Sequence, residues 1–422
     1  MKDLSGYKIL QIDYGNDISV AQRLARDFGT VYYWGGPYVT NSFPVHNPSD
    51  IGNNVPNIIK VKEWAEVVDE IDAAIFSDSM EPQLQNDFKK RGIPVFGSVF
   101  ADKLEHDRLF LKETLKELGL PVGAYYVANG LDELEQFLLD AKEKYIKSSL
   151  RGNSETFKHE DWRLSKRQLK KMRHEMGLYE NRETYVVEDL IDPICEFGYD
   201  GFIVSGQYVP ISMCGYEKKD CCYVGKFIRY QFLPEQIRLV NDKLAPVFNE
   251  MGYNGHYSNE IILSKDKRGF LIDNTVRFPS PPGELMLEAY TNYSEIVWDI
   301  AHGRMPVIEF KDEWGAQLII KSDIAEDDPS PILVPEEYKK FVKIKNLSID
   351  EDGTWYFVPS ATMGIKEIGA IVFTAPTMNQ AIEGVEKIAA SVKGFDIKMD
   401  VDSLSSIKKD MAKVSKAGIN FI

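Results

Sequence analysis

Residues 257–282 read YSNEIILSKDKRGFLIDNTVRFPSPP, two apolar runs joined by the charged turn SKDKR. The pattern predicts two antiparallel strands, about Tyr257–Leu263 and Gly269–Val276, ended by the proline-rich segment Pro279–Gly283. Side chains two apart in a strand share a face, so Asp273, Thr275 and Arg277 point the same way. Glu260, on the first strand, is placed to sit across from them. A pair of carboxylates, a hydroxyl and a guanidinium then meet on one surface. Converging oxygen ligands of this kind suit Mg²⁺ when the ion also holds substrate phosphates. A nearby Arg stabilises charge on a phosphoryl group in transfer. The same residues also read as a solvent-facing sheet with ordinary ion pairs.

Upstream, Lys147 ends the apolar strand KYIK (144–147) and precedes the polar loop SSLRGNSETF (148–157). A lysine there reaches phosphates while loop N–H groups cover them. With its single glycine the loop is not a Walker A motif. Arg108, on an earlier helix, is a second candidate phosphate cation. The segment YVVEDLID (185–192) runs from an apolar strand into acidic residues and Pro193. Backbone groups of Glu188–Leu190 are placed to bond an adenine edge, and Glu188 or Glu196 to accept from ribose hydroxyls. Lys226 and Arg229, in GKFIRY (225–230), are candidates for a substrate carboxylate. Taken singly, each of these also reads as a surface charge or a plain strand end.

The first hundred residues alternate strands (Tyr7–Ile12, Thr30–Trp34, Ala73–Phe76, Pro94–Phe96) with helices such as Ile18–Phe28, which implies a parallel sheet with helices packed on it. Functional loops in such sheets follow the strand C-terminal ends, here Asp13–Asp17 and Ser77–Pro82. No GxGxxG follows the first strand: the residues are IDYGNDIS (12–19), whose Asp13 and Asp17 repel a pyrophosphate. Capping of the next helix by Asn16 or Asp17 is the plainer role. Further on, the spacing predicts helices over Lys103–Leu118, Leu131–Ala141, Leu164–Met176, Pro234–Met251 and Glu284–His302, and a hairpin over Gly201–Pro210. A fresh strand pattern from Trp314 suggests a boundary near Phe310, followed by helices Met378–Val392 and Leu404–Ala417.

The totals bound the function. The 422 residues suit two or three domains. A net charge of −15 disfavours nucleic acid as a partner. No run of about 18 apolar residues is present, so no membrane span is expected. The start, MKDLSGYKIL, lacks the apolar core of a signal peptide, and a cytoplasmic protein is expected. Cys195, Cys214, Cys221 and Cys222 have neither disulfide-framework nor zinc spacing and read as free thiols.

In this order, the features resemble the ATP-grasp superfamily, and within it the phosphoribosylamine–glycine ligases of purine synthesis. RGIPVFGSVFADKLEHDRLFLKETLKELGLPVGAYYV (91–127) looks like the entry into the ATP-grasp domain. VVEDLID (186–192) resembles the adenine-binding hinge, and LIDNTVRFPSPPGE (271–284) the metal-binding strand with its following turn. IGAIVFTAPTMNQAIEGVEKI (368–388) is similar to a C-terminal-domain strand and helix. The resemblance implies an α/β (α+β) ATP-grasp fold: a Rossmann-like pre-ATP-grasp domain (1–104), an ATP-grasp domain (105–310) with a lid (121–188), and a small α+β C-terminal domain (311–422). It implies an ATP-dependent carboxylate–amine ligase working through an acyl-phosphate, with ATP and Mg²⁺ (or Mn²⁺). Its substrates would be a small carboxylate such as glycine and an amine, acted on by a monomer or homodimer.

Residue by residue, the resemblance makes Glu260, Asp273 and Thr275 the metal ligands. Arg277 and Lys147 become the catalytic cations, Arg108 and Lys147 the phosphate contacts, Glu188 and Leu190 the adenine contacts and Glu196 the ribose contact. The departures fall elsewhere. The family's N-terminal Gly-Gly-Arg-Glu-His turn, which helps hold phosphoribosylamine, is replaced by YGNDIS. Its Gly-rich ATP loop is replaced by LRGNSETF, and its Thr-Gly-Gly-Met-Gly segment has no counterpart near VGKFIRY. The alternative is a nucleotide-binding regulatory protein that kept the fold and lost catalysis.

Overall fold

The computed structural model describes residues 2–36, 50–148, 156–325, 328–359 and 366–419. Most of the loop 148–157 expected to cover phosphates, residues 149–155, lies outside them.

The N-terminal strands are β1 (Lys8–Ile12), β2 (Thr30–Trp34), β3 (Ile58–Lys60), β4 (Ala73–Phe76) and β5 (Val95–Phe96). They pair in parallel in the order β3-β2-β1-β4-β5. The central strands are almost wholly buried, as near-continuous apolar runs such as AAIF require when helices cover both faces. The chain leaves β1 toward β2 and returns on the other side to β4, so a crevice opens between the loops after β1 and β4.

A second layer is a small antiparallel sheet of β6 (Tyr125–Asn129), β7 (Lys144–Ser148), β8 (Thr156–His159) and β9 (Thr184–Asp189), ordered β6-β9-β7-β8. It has its own core, in which Leu134, Leu138, Ile146, Leu169 and Val187 are buried with the helices Leu131–Asp140 and Trp162–Met176.

The large sheet holds the expected strand pair. Its members are β10 (Pro193–Val204), with the short β11 (Gln207–Tyr208) at its end, β12 (Ile211–Lys218), β13 (Cys222–Arg229), β14 (Asn254–Ser264) and β15 (Gly269–Thr275). From the C-terminal segment come β16 (Trp314–Ser322), β17 (Ser330–Leu333), β18 (Val342–Ile344), β19 (Leu347–Ile349), β20 (Trp355–Phe357) and β21 (Glu367–Ala375). The large sheet runs β15-β14-β10-β12-β13-β16-β21-β18, while β17, β19 and β20 belong to a small separate sheet. Because β13 pairs with β16, one sheet crosses the boundary expected near Phe310.

Local expectations fail where a polar break interrupts a helical pattern. The helix expected over 103–118 is two, Lys103–His106 and Arg108–Glu117. Asp107 adopts extended geometry between them and caps the second by accepting from the Phe110 N–H at 2.9 Å. The helix expected over 284–302 is also two, Gly283–Ala289 and Tyr293–Ala301, separated where Tyr290 bridges to Phe310. The expected hairpin is the tip of the longer strand β10 turning into β11 and β12. Asp17 stands at the helix N-cap position without accepting a capping hydrogen bond.

Candidate active site

Strands β14 and β15 pair antiparallel with Glu260 directly opposite Asp273 and Ser258 opposite Thr275. The register shifts just beyond Glu260, so the alternation that aligns these side chains holds only on the side toward Arg277. Glu260, Asp273, Thr275 and Arg277 line one cavity of about 140 Å³ with Glu217, Lys219 and Ser280.

Cations converge on it. Arg108 donates to Asp273 at 3.0 Å. Lys147 donates to the Ile272 carbonyl at 2.8 Å and lies 3.5 Å from Glu188. Lys112 reaches the other Glu188 oxygen at 3.1 Å. Arg277 donates to Glu105 at 2.8 Å, and the same carboxylate accepts from the Val276 N–H at 2.9 Å, which fixes the turn leaving β15.

The floor of the site is made by small residues. Gly198 of β10 and Gly215 of β12 pair with each other, and Gly225 of β13 continues the row. A Cβ at Gly215 would lie 2.1 Å from the Tyr223 hydroxyl, so glycine lets that ring lie flat on the sheet. Tyr223 there donates to Asp200, which also accepts from Ser258 at 2.6 Å. Glu196 faces the same side as Glu217 and Glu260.

Burial and the charge of Glu260 push the Glu217 carboxyl up to about 10. Burial and Asp273 raise Glu260 as well. Burial also acts upward on Asp273, but Arg108, Lys147 and Lys219 outweigh it and hold that carboxyl low. Burial lowers Lys147. Crowded carboxylates of this kind either share protons or take a cation. Among the described residues no set of three His, Cys, Asp or Glu side chains forms a complete metal cage. The opposed Glu260 and Asp273 carboxylates are the kind of oxygen donors a divalent ion such as Mg²⁺ uses when phosphates and water complete its shell.

The candidates separate into those brought together and those not. Glu260, Asp273, Thr275, Arg277, Arg108 and Lys147 meet at the cleft. Glu188 lies beside it, held by its lysines, while Leu190 is exposed on the link from β9 to β10. Lys226 and Arg229, the candidates for a substrate carboxylate, are not brought to this cleft. Tyr223 and Gly225 face the cleft, so strand alternation sends Lys226 to the opposite side. There it sits 3.6 Å from Glu313 and 5.6 Å from the Trp314 ring. Arg229 stands exposed at the far end of the strand. Glu217, Lys219, Glu105 and Lys112 were missed. EKKD (217–220) reads as an ordinary charged turn, and only the pairing of β12 beside β10 carries it to Glu260.

No protein-family profile matches the chain. The phosphoribosylamine–glycine ligase of Helicobacter pylori is 25% identical over 308 residues, 66% of this chain and 68% of that protein. The crystal structure of phosphoribosylamine–glycine ligase from Thermotoga maritima superposes with a TM-score of 0.69 at 14% identity, covering 93% of this chain and 98% of that one. The fold is ATP-grasp. The biotin carboxylase domain of Hydrogenobacter thermophilus 2-oxoglutarate carboxylase, solved with MgADP and bicarbonate, shares it at TM-score 0.66 and 13% identity, covering 96% and 94%. The resemblance to ATP-grasp ligases read from residues 91–127, 186–192 and 271–284 thus has its counterpart in three dimensions.

Proposed function

We propose that this chain is an ATP- and Mg²⁺-dependent carboxylate–amine ligase working through an acyl-phosphate. The direct opposition of Glu260 and Asp273 across two strands, with Arg108 at the Asp273 carboxylate and Lys147 at the neighbouring Ile272 carbonyl, carries the reading. The proposed units are residues 1–104, 105–310 and 311–422, with 121–188 as the lid.

Arg108 and Lys147 hold the ATP phosphates, the backbone of Glu188–Leu190 meets the adenine, and Glu196 meets the ribose. Glu260, Asp273 and Thr275 hold Mg²⁺, which when bound offsets phosphate charge. A carboxylate oxygen attacks the γ-phosphorus, the bridging P–O bond to ADP breaks, and ADP leaves. Arg277, braced by Glu105, offsets charge on the carboxylate and then on the acyl-phosphate. The amine nitrogen attacks the acyl carbon, the C–O bond to phosphorus breaks, and phosphate departs with one oxygen of the original carboxylate. A neutral amine needs little general base, so positioning supplies most of the rate. The lid, with its separate core, closes over ATP and keeps water from the acyl-phosphate.

One observation favours an amine other than phosphoribosylamine. The loop after β1, which the resemblance assigns to the phosphoribosyl group, holds Asp13 and Asp17, both buried. Asp13 is committed to the loop itself, accepting from Tyr33 at 2.6 Å and from the Gly15 N–H at 2.7 Å. Carboxylates there suit a protonated or neutral amine better than a phosphate.

The test is isotopic. With ¹⁸O-labelled carboxylates in a panel that includes glycine, turnover should place one ¹⁸O in each released phosphate. ADP release with unlabelled phosphate means that water, not a carboxylate, attacks ATP, and removes the ligase reading.

A further inference from the structure

A second cavity, of about 260 Å³, lies where the helix Ile18–Leu24 meets the C-terminal segment, and shares no lining residue with the carboxylate cleft. Its walls are cationic in a chain of net charge −15. Arg23 and Arg26 come from the helix and the turn after it, Lys339 and Lys340 from the short helix Glu336–Phe341, and Lys343 from β18.

Carboxylates cancel this charge only in part. Arg23 pairs with Asp27 at 2.6 Å and Lys339 with Glu336 at 2.7 Å. Among the described residues, Glu288 is shared between Lys343, at 3.2 Å, and Arg26, at 3.4 Å. Among the described residues, five cations against three carboxylates leave about two positive charges, which matches in magnitude the nearly two negative charges of a phosphate monoester near neutral pH. Lys343 is 5% exposed, and burial lowers its pKa to about 8 even with Glu288 beside it.

An independent feature points to a polar ligand. Ser19 lines the cavity at 2% exposure, and its hydroxyl has no hydrogen-bond partner among the described residues. An orphaned buried hydroxyl beside uncompensated cations is costly unless something polar arrives. Trp355 supplies an apolar wall, with the Lys339 ammonium 5.5 Å from its ring centre.

We propose that this cavity binds a phosphorylated small molecule, with the phosphate held by Arg26, Lys340, Lys343 and Ser19 and the remainder against Trp355. Guanidinium and ammonium donors around one hydroxyl are the usual equipment for a phosphate dianion. Because the walls come from both ends of the chain, occupancy also clamps the N-terminal helix to β18. The site would be distinct from the one that holds ATP.

Calorimetric titration of the full chain with inorganic phosphate and with uridine 5′-monophosphate, at saturating Mg²⁺ and a non-hydrolysable ATP analogue, tests this. One saturable site is expected, tighter for the nucleotide and weakened at high salt. Arg26→Gln and Lys340→Gln, both at partly exposed positions, should each weaken it at least tenfold. Ser19→Ala should weaken it severalfold, and each variant's melting temperature without phosphate reports folding. Failure of either phosphate compound to bind, binding that the ATP analogue abolishes, or binding unchanged in both cation variants would overturn the proposal.

Discussion

Replacing Asp273 by Asn removes one negative charge and almost no volume, so it separates the metal role from the structural one. Asp273 is 39% exposed at its side chain, and its pair with Arg108 at 3.0 Å is therefore partly solvent-screened. Exposed pairs contribute about 1 kcal/mol or less, and the Asn carbonyl keeps an acceptor for Arg108. A domain with about 5–15 kcal/mol of stability stays folded after such a loss, with a melting shift below about 4 °C. The catalytic loss is larger, because a charged contact made at the transferring phosphoryl group is gone. Removal of one such contact costs roughly 100- to 1000-fold in turnover, or about 2.7–4 kcal/mol. The assay is Mg²⁺-dependent ADP release with the most active carboxylate and amine, run beside a thermal melt. A near-unchanged melt with collapsed ADP release is expected. Undiminished ADP release at the same Mg²⁺ concentration takes Asp273 out of the site and the ligase reading with it.

Lys147→Met, which removes the ammonium beside Ile272 and Glu188, should raise the KM for ATP roughly 10- to 150-fold, the weight of a charged hydrogen bond. An unchanged KM places the phosphates elsewhere. Glu105→Ala strands the buried Val276 N–H and frees the partly exposed Arg277 guanidinium, and should cost about 1–3 kcal/mol, seen as a melting drop of roughly 2–12 °C. A stable Glu105→Ala variant would mean that Arg277 finds another anion. His256 is 2% exposed among Phe96, Phe202, Phe278 and Tyr293, and burial lowers its pKa to about 3. Its folded value lies below the unfolded one, so its contribution is complete above pH 6.5 and is lost as pH falls toward 3, up to about 5 kcal/mol. Urea midpoints between pH 7 and pH 4 should fall less steeply in His256→Phe, and equal slopes would refute this.

Much of the candidate site's geometry was readable in one dimension because strand alternation is local. Once YSNEIILS and GFLIDNT are strands joined by a four-residue turn, Glu260, Asp273 and Thr275 have little freedom to separate. The parallel N-terminal sheet was legible for a similar reason: runs such as KILQI and AAIF are too short and too apolar to be anything but buried strands. The breaks at Asp107 and at Tyr290–Asn292 were not, since capping geometry and a bridge to Phe310 decided them against a continuous helical pattern.

What the sequence determined by itself was the strand pair with its carboxylates, set by residue spacings of two to fifteen, while the ATP-grasp fold was legible as a resemblance spread along the chain. What the tertiary structure decided was which distant side chains join them. The pairing of β12 beside β10 carries Glu217 to Glu260, and the docking of the small sheet β6-β9-β7-β8 brings Lys147 to Ile272. The same alternation turns Lys226 away from the cleft, because Tyr223 and Gly225 already face it. The cationic cavity is also wholly tertiary, since its lysines and arginines lie more than three hundred residues apart and meet only when β18 docks on the first helix. Local periodicity sets where a side chain points along its own strand. Only long-range pairing sets what it points at.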